Sequence, residues 1–346
     1  ALESDPARRY ETVSAMAADL QRYLDNRPIL ARPPSTWYHL RKLVSRHRVA
    51  SVLAGMMLVL LVAAGVVVLD QNRRIRAERD KATAEAATAE QVSGFLIDLF
   101  SGPDPRVAQG RNLTTREMLD QGAEKIQTEL EDQPLVRSRL MVIMGRVYSR
   151  LGLPEQAGGL LEQGIEAGRE ILEENPGPAV RGMQELAWVH RNAGRYDEGI
   201  AAAREGLETA NRVMGKGNGL EGELLLSLGL LYRDKGDLEE ARKTIDRAIE
   251  VNTARHGLQS RQTGNALYHS AWLEHRRGNT AEALAISGQA CPILEQVLGA
   301  SDPSVAWCFN DQSMFLSSLG RHDEARETLE QAIGIWKAVL PDGHPH

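Results

Sequence analysis

The sequence predicts an all-α chain in which a solenoid of helical hairpins is preceded by a single membrane-spanning helix. Three observations lead to this fold class: an uncharged run of 21 residues, a 42-residue internal repeat, and a helix-forming segment without Gly or Pro between them. Hydrophobic residues make up 42% and charged residues 25% of the 346 residues, which is typical of globular and not of disordered proteins.

Net charge and cysteine content exclude several classes of partner. Lys and Arg number 41 against 47 Asp and Glu, a formal charge of −6, whereas general nucleic-acid binders carry surplus cations. Two cysteines are too few for a disulfide-rich scaffold or a four-cysteine zinc site. No pair of histidines has the i, i+4 spacing of a helical metal site. We therefore expect no nucleic acid and no metal ion as a ligand.

The first element is an amphipathic helix within residues 1–30. It contains the motif Asp5-Pro6-x-x-Arg9-Tyr10, followed by the helix pattern Met16-x-x-Asp19-Leu20-x-x-Tyr23-Leu24 and then Pro28. With these residues the segment resembles the last helix of the protein kinase catalytic domain found in bacterial receptor-like serine/threonine kinases. In that family the arginine matching Arg9 pairs with a glutamate that closes the activation segment. The alternative is an ordinary helix at a soluble N-terminus.

The rest of the kinase signature is absent from the sequence. There is no glycine-rich loop followed by a strand lysine, no H-R-D-x4-N and no D-F-G. We therefore assign no catalytic and no cofactor-binding residue, and the chain as given is not expected to be an enzyme. The resemblance implies a parent serine/threonine kinase, with residues 1–30 as the truncated end of its catalytic domain. ATP and Mg would serve only that missing domain.

The second element is Val49–Leu69, 21 residues without charge or proline. As a helix it is about 31 Å long, which matches the roughly 30 Å bilayer core. We predict a membrane span within lipid here, preceded by a basic juxtamembrane segment over residues 31–48; a buried core helix is the alternative. Lys and Arg are too evenly balanced on the two flanks for the positive-inside rule to set the orientation.

A helical stalk over residues 70–92 is predicted to continue the span. The segment lacks Gly and Pro and is rich in Ala, Glu, Arg and Lys, which are good helix formers. It is interpreted either as a rod that transmits a change to the kinase or as a passive spacer. A homodimer through the span and stalk is left open, because Ala50-x3-Ala54 and Ser51-x3-Gly55 would permit close helix approach.

The third element is a solenoid over residues 93–346, with five clear repeats and partial repeats at both ends. One helical hairpin cannot cover its own apolar face, so copies of this kind must stack. Five turn glycines and two sets of small residues recur with the 42-residue period. The turn glycines are Gly152, Gly194, Gly236, Gly278 and Gly320; the small residues are Ala157, Gly199, Ala241, Ala283 and Ala325, and Gly164, Gly206, Ala248, Ala290 and Ala332.

The repeat resembles the tetratricopeptide repeat, in the longer form of kinesin light chain-like proteins. The pattern G-x2-Y-x3-G-x4-A-x6-A is complete in the third copy, from Gly229 to Ala248. At the two ends, Thr114-x-x-Glu117 fits a capping box before the second helix of a leading repeat, and Asp302-Pro303 opens the fifth copy. His344-Pro345 follows 42 residues later, so a truncated sixth copy is expected.

The resemblance implies that the first helix of each hairpin lines the inner face, where a peptide or protein ligand binds. Arg and Asn would hold carboxylates and backbone there, and aromatic rings would supply contact area; some Trp residues would instead pack between helices. Glu223 and His275 lie on the same face. The groove residues are Arg139, Arg146, Arg150, Arg181, Gln184, Trp188, Arg191, Asn192, Arg233, Asn265, Tyr268, Trp272, Arg276, Trp307 and Asn310.

Cys291 and Cys308 lie about equally far from the turn near Gly299–Ala300 in antiparallel helices, so they could face one another. The sequence nevertheless favours buried free thiols over a disulfide. Position 291 falls in an apolar register, and helices usually pack about 8–10 Å apart, whereas a disulfide needs α-carbons within about 7 Å. The disulfide is the alternative.

The elements together predict the membrane-anchored sensor or scaffold region of a serine/threonine protein kinase, whose repeats bind a protein or peptide. The alternative is a structural membrane-tethered scaffold without kinase signalling. Because a kinase domain needs cytoplasmic ATP, the resemblance implies a cytoplasmic N-terminus and repeats in the periplasm or outside the cell.

Overall fold

The computed structural model describes residues 10, 12–25, 27–30, 44, 48–100 and 114–339, and all regular structure in these residues is helical. The chain divides into two compact units, Ala1–Ala86 and Ala87–His346. Several predicted features lie outside the described residues: Asp5, Pro6 and Arg9 of the kinase-like motif, most of the juxtamembrane segment, and His344-Pro345.

Helix α1, Val13–Leu24, is the amphipathic helix predicted near the N-terminus. Thr12 caps it, because its hydroxyl accepts a hydrogen bond from the Ala15 N–H at 3.1 Å. The buried Asp19 carboxylate accepts one from the Tyr10 hydroxyl at 3.1 Å and another from the Leu30 N–H at 2.8 Å. Asp19 therefore joins the chain before the helix to the chain after it.

Helix α2, Arg48–Phe100, contains both the predicted span and the predicted stalk. By length and composition alone, this helix is able to cross a membrane. Its most apolar stretch is not buried against any described residue, so the structure gives no support to the alternative of a soluble core helix. Membrane insertion itself stays a prediction.

The remaining described helices form an α-helical solenoid of five hairpins that follow one leading helix, as the repeat predicts. Pro134, Pro154 and Pro303 each occupy the first turn of a helix, where the missing N–H of proline costs no hydrogen bond. The helices are α3 Thr115–Glu129, α4 Pro134–Arg150, α5 Pro154–Arg169, α6 Gly177–Asn192, α7 Tyr196–Met214, α8 Glu221–Lys235, α9 Leu238–His256, α10 Arg261–Arg276, α11 Thr280–Leu298, α12 Pro303–Ser318 and α13 His322–Val339.

The turn between the two helices of each hairpin requires glycine. All five predicted turn glycines have positive φ, from +71° at Gly194 to +101° at Gly236, a conformation that strains any residue with a β-carbon. The predicted small residues are buried where helices meet; Ala157, Ala248 and Ala332 have no exposed surface. Both sets of positions are therefore confirmed as the sites where the backbone turns or packs closely.

The last turns of α2 act as the first helix of a leading hairpin, with α3 as its second helix. A β-carbon placed on Gly122 would lie 2.8 Å from the Leu99 side chain, and one on Gly164 would lie 3.0 Å from Met141. Met141 and Gly164 lie one repeat of 42 residues after Leu99 and Gly122, so the same contact recurs in the next hairpin. The predicted capping box of α3 is confirmed, with Glu117 N–H donating to the Thr114 hydroxyl at 3.2 Å and Thr114 N–H donating to the Glu117 carboxylate at 2.8 Å.

The preference for free thiols at Cys291 and Cys308 is wrong, because the two buried residues form a disulfide between α11 and α12. Their α-carbons are 5.6 Å apart. The prediction compared the distance between helix axes with a limit that applies to α-carbons. Since each α-carbon lies about 2.3 Å from its axis, facing α-carbons of packed helices come within about 4–5 Å.

Candidate functional site

The groove residues all lie on the first helices α4, α6, α8, α10 and α12. Each of these helices contacts the next one in the series, so that they form a continuous row. The row is a consequence of the repeat, because every hairpin stacks on its neighbour in the same way. The structure therefore brings the groove residues to one row of helices, although they are spread over 172 sequence positions from Arg139 to Asn310.

Two of the seven groove arginines share one carboxylate at the middle of the row. Arg191 Nε lies 2.6 Å from Asp234 Oδ2, and the Arg233 guanidinium lies 2.9 Å from Asp234 Oδ1. All three side chains are less than a fifth exposed. Burial alone would raise the pKa of Asp234, but Arg233 and then Arg191 outweigh it and lower the pKa below its ordinary value. The single negative charge of Asp234 therefore offsets one of the two positive charges, and the other remains.

The same arginines also lie over tryptophan rings. The Arg191 guanidinium is 4.6 Å from the centre of the Trp188 ring, and that of Arg233 is 5.9 Å from the Trp272 ring. Such cation–π contacts hold both partners in place. Trp188 keeps 44% of its surface exposed and so remains accessible to a ligand.

A second buried carboxylate, Asp311, organises the aromatic half of the row. Its Oδ2 accepts hydrogen bonds from the Tyr268 hydroxyl at 2.7 Å and from Trp272 Nε1 at 2.8 Å, while Asn310 donates to Oδ1 at 3.2 Å. Burial, together with the Asp311 charge, raises the pKa of Tyr268 well above its ordinary value. Tyr268 and Trp272 thus have their polar groups satisfied, and they offer a ligand their ring surfaces.

His269 adds no charge to this region. Its pKa is lowered to about 3, mainly by burial and also by the nearby Arg233 and Arg191, while Asp234 opposes the shift. Its ring lies 4.9 Å from that of Tyr268, so it packs as a neutral aromatic group. Among the described residues, no group of three or more His, Cys, Asp and Glu is placed to hold a metal ion.

The unneutralised arginines are concentrated in the first two hairpins. Arg150 and Arg181 are exposed and Arg139 is partly exposed, and none of them forms an ion pair with a described residue. Arg146, by contrast, pairs with Glu185 at 2.5 Å. The predicted basic face is therefore narrower than the sequence indicated. Three groove arginines without an ion pair among the described residues lie on α4 and α6, and the exposed Arg276 is a further one on α10.

The other groove residues are dispersed along the row. Gln184 is half-buried and Asn192 is exposed at the end of α6. Arg276 donates a hydrogen bond to the Arg233 carbonyl oxygen at 3.4 Å and forms no ion pair with the residues that the structure describes. Asn265 and Trp307 are exposed near the start of α10 and α12, and the Trp307 ring meets that of Trp336 edge-on at 5.1 Å.

Asp234, Asp311 and Glu185 are the site residues that sequence reasoning missed. The sequence-based prediction of this face rested mainly on its cations and aromatic residues, and Glu223 was the one acidic residue it included. The position of these residues within the repeat could have indicated them. Trp272 and Asp311 occupy the same positions as Arg146 and Glu185 three repeats earlier, and both pairs are 39 residues apart.

Comparisons with known proteins agree with this architecture. Tetratricopeptide repeat family profiles match residues 179–250, 220–296 and 305–346. The chain thus contains tetratricopeptide repeats, a non-catalytic class of helical hairpin whose stacked surfaces serve protein–protein interaction. The solenoid predicted from the 42-residue period is confirmed.

Solved structures with the same fold include BtubC (BKLC) from P. vanneervenii, with a TM-score of 0.56 and 16% identity over 66% of this chain and 91% of that chain. A structure of TPR-like repeats from a kinesin light chain of Podosopora anserina, which are nearly identical to one another, gives a TM-score of 0.49 and 19% identity over 61% of this chain and 100% of that chain. The likeness to BtubC concerns the fold alone. No curated protein sequence matches the chain.

Proposed function

We propose that the repeats bind an acidic segment of a peptide or protein partner along the row of first helices. The observation that carries this proposal is the pair of exposed arginines, Arg150 and Arg181, which form no ion pair among the described residues. An unpaired guanidinium binds carboxylates through two parallel hydrogen bonds, so these positions favour Asp or Glu in the ligand. The exposed Trp188 ring lies on the same helix as Arg181 and offers apolar contact.

The length of the row sets the length of the ligand. Five first helices about 8–10 Å apart span roughly 35–40 Å, which an extended chain crosses with about eleven residues. A short linear segment of a partner is therefore enough to occupy the whole row. This is the sensor or scaffold role that the repeats would perform.

Membrane anchoring through α2 is the second part of the proposal. Burial of one Leu or Val side chain stabilises by about 1.5–3 kcal/mol, so a helix with 21 uncharged residues left in water would cost tens of kcal/mol. A bilayer removes this cost, and the exposed stretch of α2 has the required length. Pairing of two chains through α2 within the membrane would let a ligand alter that pairing.

The disulfide supports an assignment of the repeats to the periplasm or to the outside of the cell. Disulfides persist in oxidising compartments and are rare in the cytosol. Cys291 and Cys308 belong to the fourth and fifth repeats, so this argument concerns the repeat unit itself. The N-terminus would then be cytoplasmic.

The proposed link to a serine/threonine kinase is the most specific part of the proposal, and it rests on α1. Leu20, Tyr23 and Leu24 are exposed on this helix, and an isolated helix of 12 residues is only marginally stable in water. A catalytic lobe, with its own ATP and Mg, would cover that face and complete a receptor-like serine/threonine kinase. A membrane-tethered scaffold without kinase signalling is the alternative. The reading frame upstream of Ala1 separates the two, because only the first requires the kinase loops.

The binding proposal is tested with peptides and the full chain in detergent. A random library of peptides of about eleven residues is selected on the chain, and enriched peptides are titrated by fluorescence anisotropy. We expect acidic sequences whose affinity falls about tenfold or more for the Arg150→Glu/Arg181→Glu double variant, since charge-assisted hydrogen bonds contribute about 1.5–3 kcal/mol each. The matched control is Arg212→Glu/Lys337→Glu, the same charge change on second helices. Equal loss in both variants, or enrichment of non-acidic peptides, would contradict the proposal.

A further inference from the structure

A pocket of about 240 Å³ lies where the fourth and fifth repeats meet, at the starts of α10 and α12 and the end of α11. Its apolar lining comes from Leu294 and Leu298 on α11, and from the rings of Tyr268 and Trp307. Leu294 is buried, whereas Trp307 keeps 42% of its surface exposed. The volume is below the roughly 300–1,000 Å³ of pockets that hold drug-sized ligands, so it fits a single side chain.

The polar lining of the same pocket is exposed and carries one free cation. Arg261, Asn265 and Ser304 supply a guanidinium, an amide and a hydroxyl, and Arg261 forms no ion pair with any residue that the structure describes. Two helices also begin here, and the positive ends of their dipoles favour an anion. At α12 the Asp302 carboxylate already occupies the positive end of the helix, since it accepts a hydrogen bond from the Ser304 N–H at 2.7 Å; the attraction for an anion therefore comes from Arg261 and the start of α10.

We infer that this pocket is the anchor subsite for the peptide ligand, where one bulky apolar side chain enters and an adjacent carboxylate binds Arg261. This inference rests on the proposed function and adds a second point of contact between the peptide and the repeats. The carboxylate belongs either to an acidic neighbour in the peptide or to the peptide's own C-terminus, because both present the same two oxygen atoms.

The disulfide holds the lining of the pocket in place. Leu294 lies one turn after Cys291 on α11, and Trp307 directly precedes Cys308 on α12. The cross-link therefore fixes two lining residues from different helices relative to each other. A subsite that is already formed loses less entropy when it binds a ligand.

The position of the pocket predicts a spacing in the ligand. Arg181 on α6 and the pocket beside α12 are three first helices apart, which corresponds to roughly 24–30 Å, or about eight residues of extended chain. The ligand should therefore carry an acidic cluster and, about eight residues away, a bulky apolar residue beside a carboxylate.

The test measures how tightly peptides selected on the full chain bind to variants of the pocket. Ser304→Phe fills the pocket from an exposed position, and Ser317→Phe makes the same change at the other end of α12. We expect Ser304→Phe to weaken binding about tenfold or more and Ser317→Phe to leave it unchanged. Replacing the apolar anchor of the peptide by Ala should weaken binding to the wild-type chain but not to Ser304→Phe.

A second variant keeps the test decisive if Ser304→Phe does not fold. Arg261→Glu should weaken binding about tenfold, with Arg212→Glu as the control of equal charge change. Peptides with an amidated C-terminus distinguish the sources of the carboxylate, since only a terminal carboxylate is lost on amidation. Unchanged binding to the pocket variants, with binding lost in Arg150→Glu/Arg181→Glu, would overturn the pocket and leave the proposed function standing. Failure to enrich any peptide would overturn both.

Discussion

Reduction of the Cys291–Cys308 disulfide should loosen the end of the solenoid. The two cysteines are 17 residues apart, and closing a loop of about that length stabilises a folded chain by about 3 kcal/mol through the entropy of the unfolded state. In a solenoid each repeat contacts only its neighbours, so the loss stays local. We expect the loss of stability to be confined to the fifth repeat, which consists of α12 and α13.

Hydrogen exchange with and without reductant measures this effect on the full chain in detergent. The amides of α12 and α13 should exchange about a hundredfold faster after reduction, since 3 kcal/mol corresponds to about two factors of ten. Amides of α6 and α7 serve as an internal control and should not change. In urea, the unfolding midpoint of the fifth repeat should fall by about 1–3 M for a slope of 1–3 kcal/mol per M.

Two outcomes would refute this reasoning. Alkylation of the non-reduced protein at both Cys291 and Cys308 would show that the thiols are free. Exchange in α12 that is unaffected by reductant would show that the cross-link does not contribute to its stability. The Cys291→Ala/Cys308→Ala variant supplies the control, because it should be insensitive to reductant.

Three further substitutions test the packing and the turns of the repeats. His269 has a folded pKa of about 3 and an unfolded pKa near 6.5, so only the unfolded chain gains its proton between these values; stability should fall by about 1–2 kcal/mol from pH 7 to pH 5 in urea titrations. His269→Gln should flatten that slope, and an equal slope would contradict the assignment. Asp234→Asn should cost about 1–3 kcal/mol because two arginines lose their carboxylate, whereas Asp197→Asn on the surface should cost under about 0.5 kcal/mol; similar values would count against a structural role. Gly236→Ala should lower thermal stability by about 1 kcal/mol because φ is +101°, while Gly158→Ala within α5 should be neutral or stabilising.

The periodic part of the fold was predictable because it depends on backbone geometry that every copy shares. A turn that needs positive φ selects glycine each time, as at Gly152 and Gly320, and a close helix contact selects a small side chain, as at Ala248. Both constraints repeat every 42 residues and so appear in a single sequence. The solenoid could therefore be predicted without any homologue.

The chemistry of the groove was less predictable because it depends on contacts between repeats that differ from copy to copy. Arg191 and Arg150 look alike in the sequence, but only Arg191 meets a carboxylate, 43 residues away on the next first helix. Which arginine stays available to a ligand is decided by that neighbour. The disulfide was missed for a related reason, since the distance between two particular α-carbons cannot be derived from the usual spacing of helix axes.

The last turns of α2, which serve as the first helix of the leading hairpin, determine where a recombinant fragment of the repeats can begin. Leu99 and the residues just before it, all belonging to α2, cover apolar side chains of α3 and α4, including Leu119 and Ile126. A fragment that starts at Thr114 would leave these side chains open to water and would be prone to aggregate. Recombinant production of the array should therefore begin near residue 87, so that this covering helix is kept.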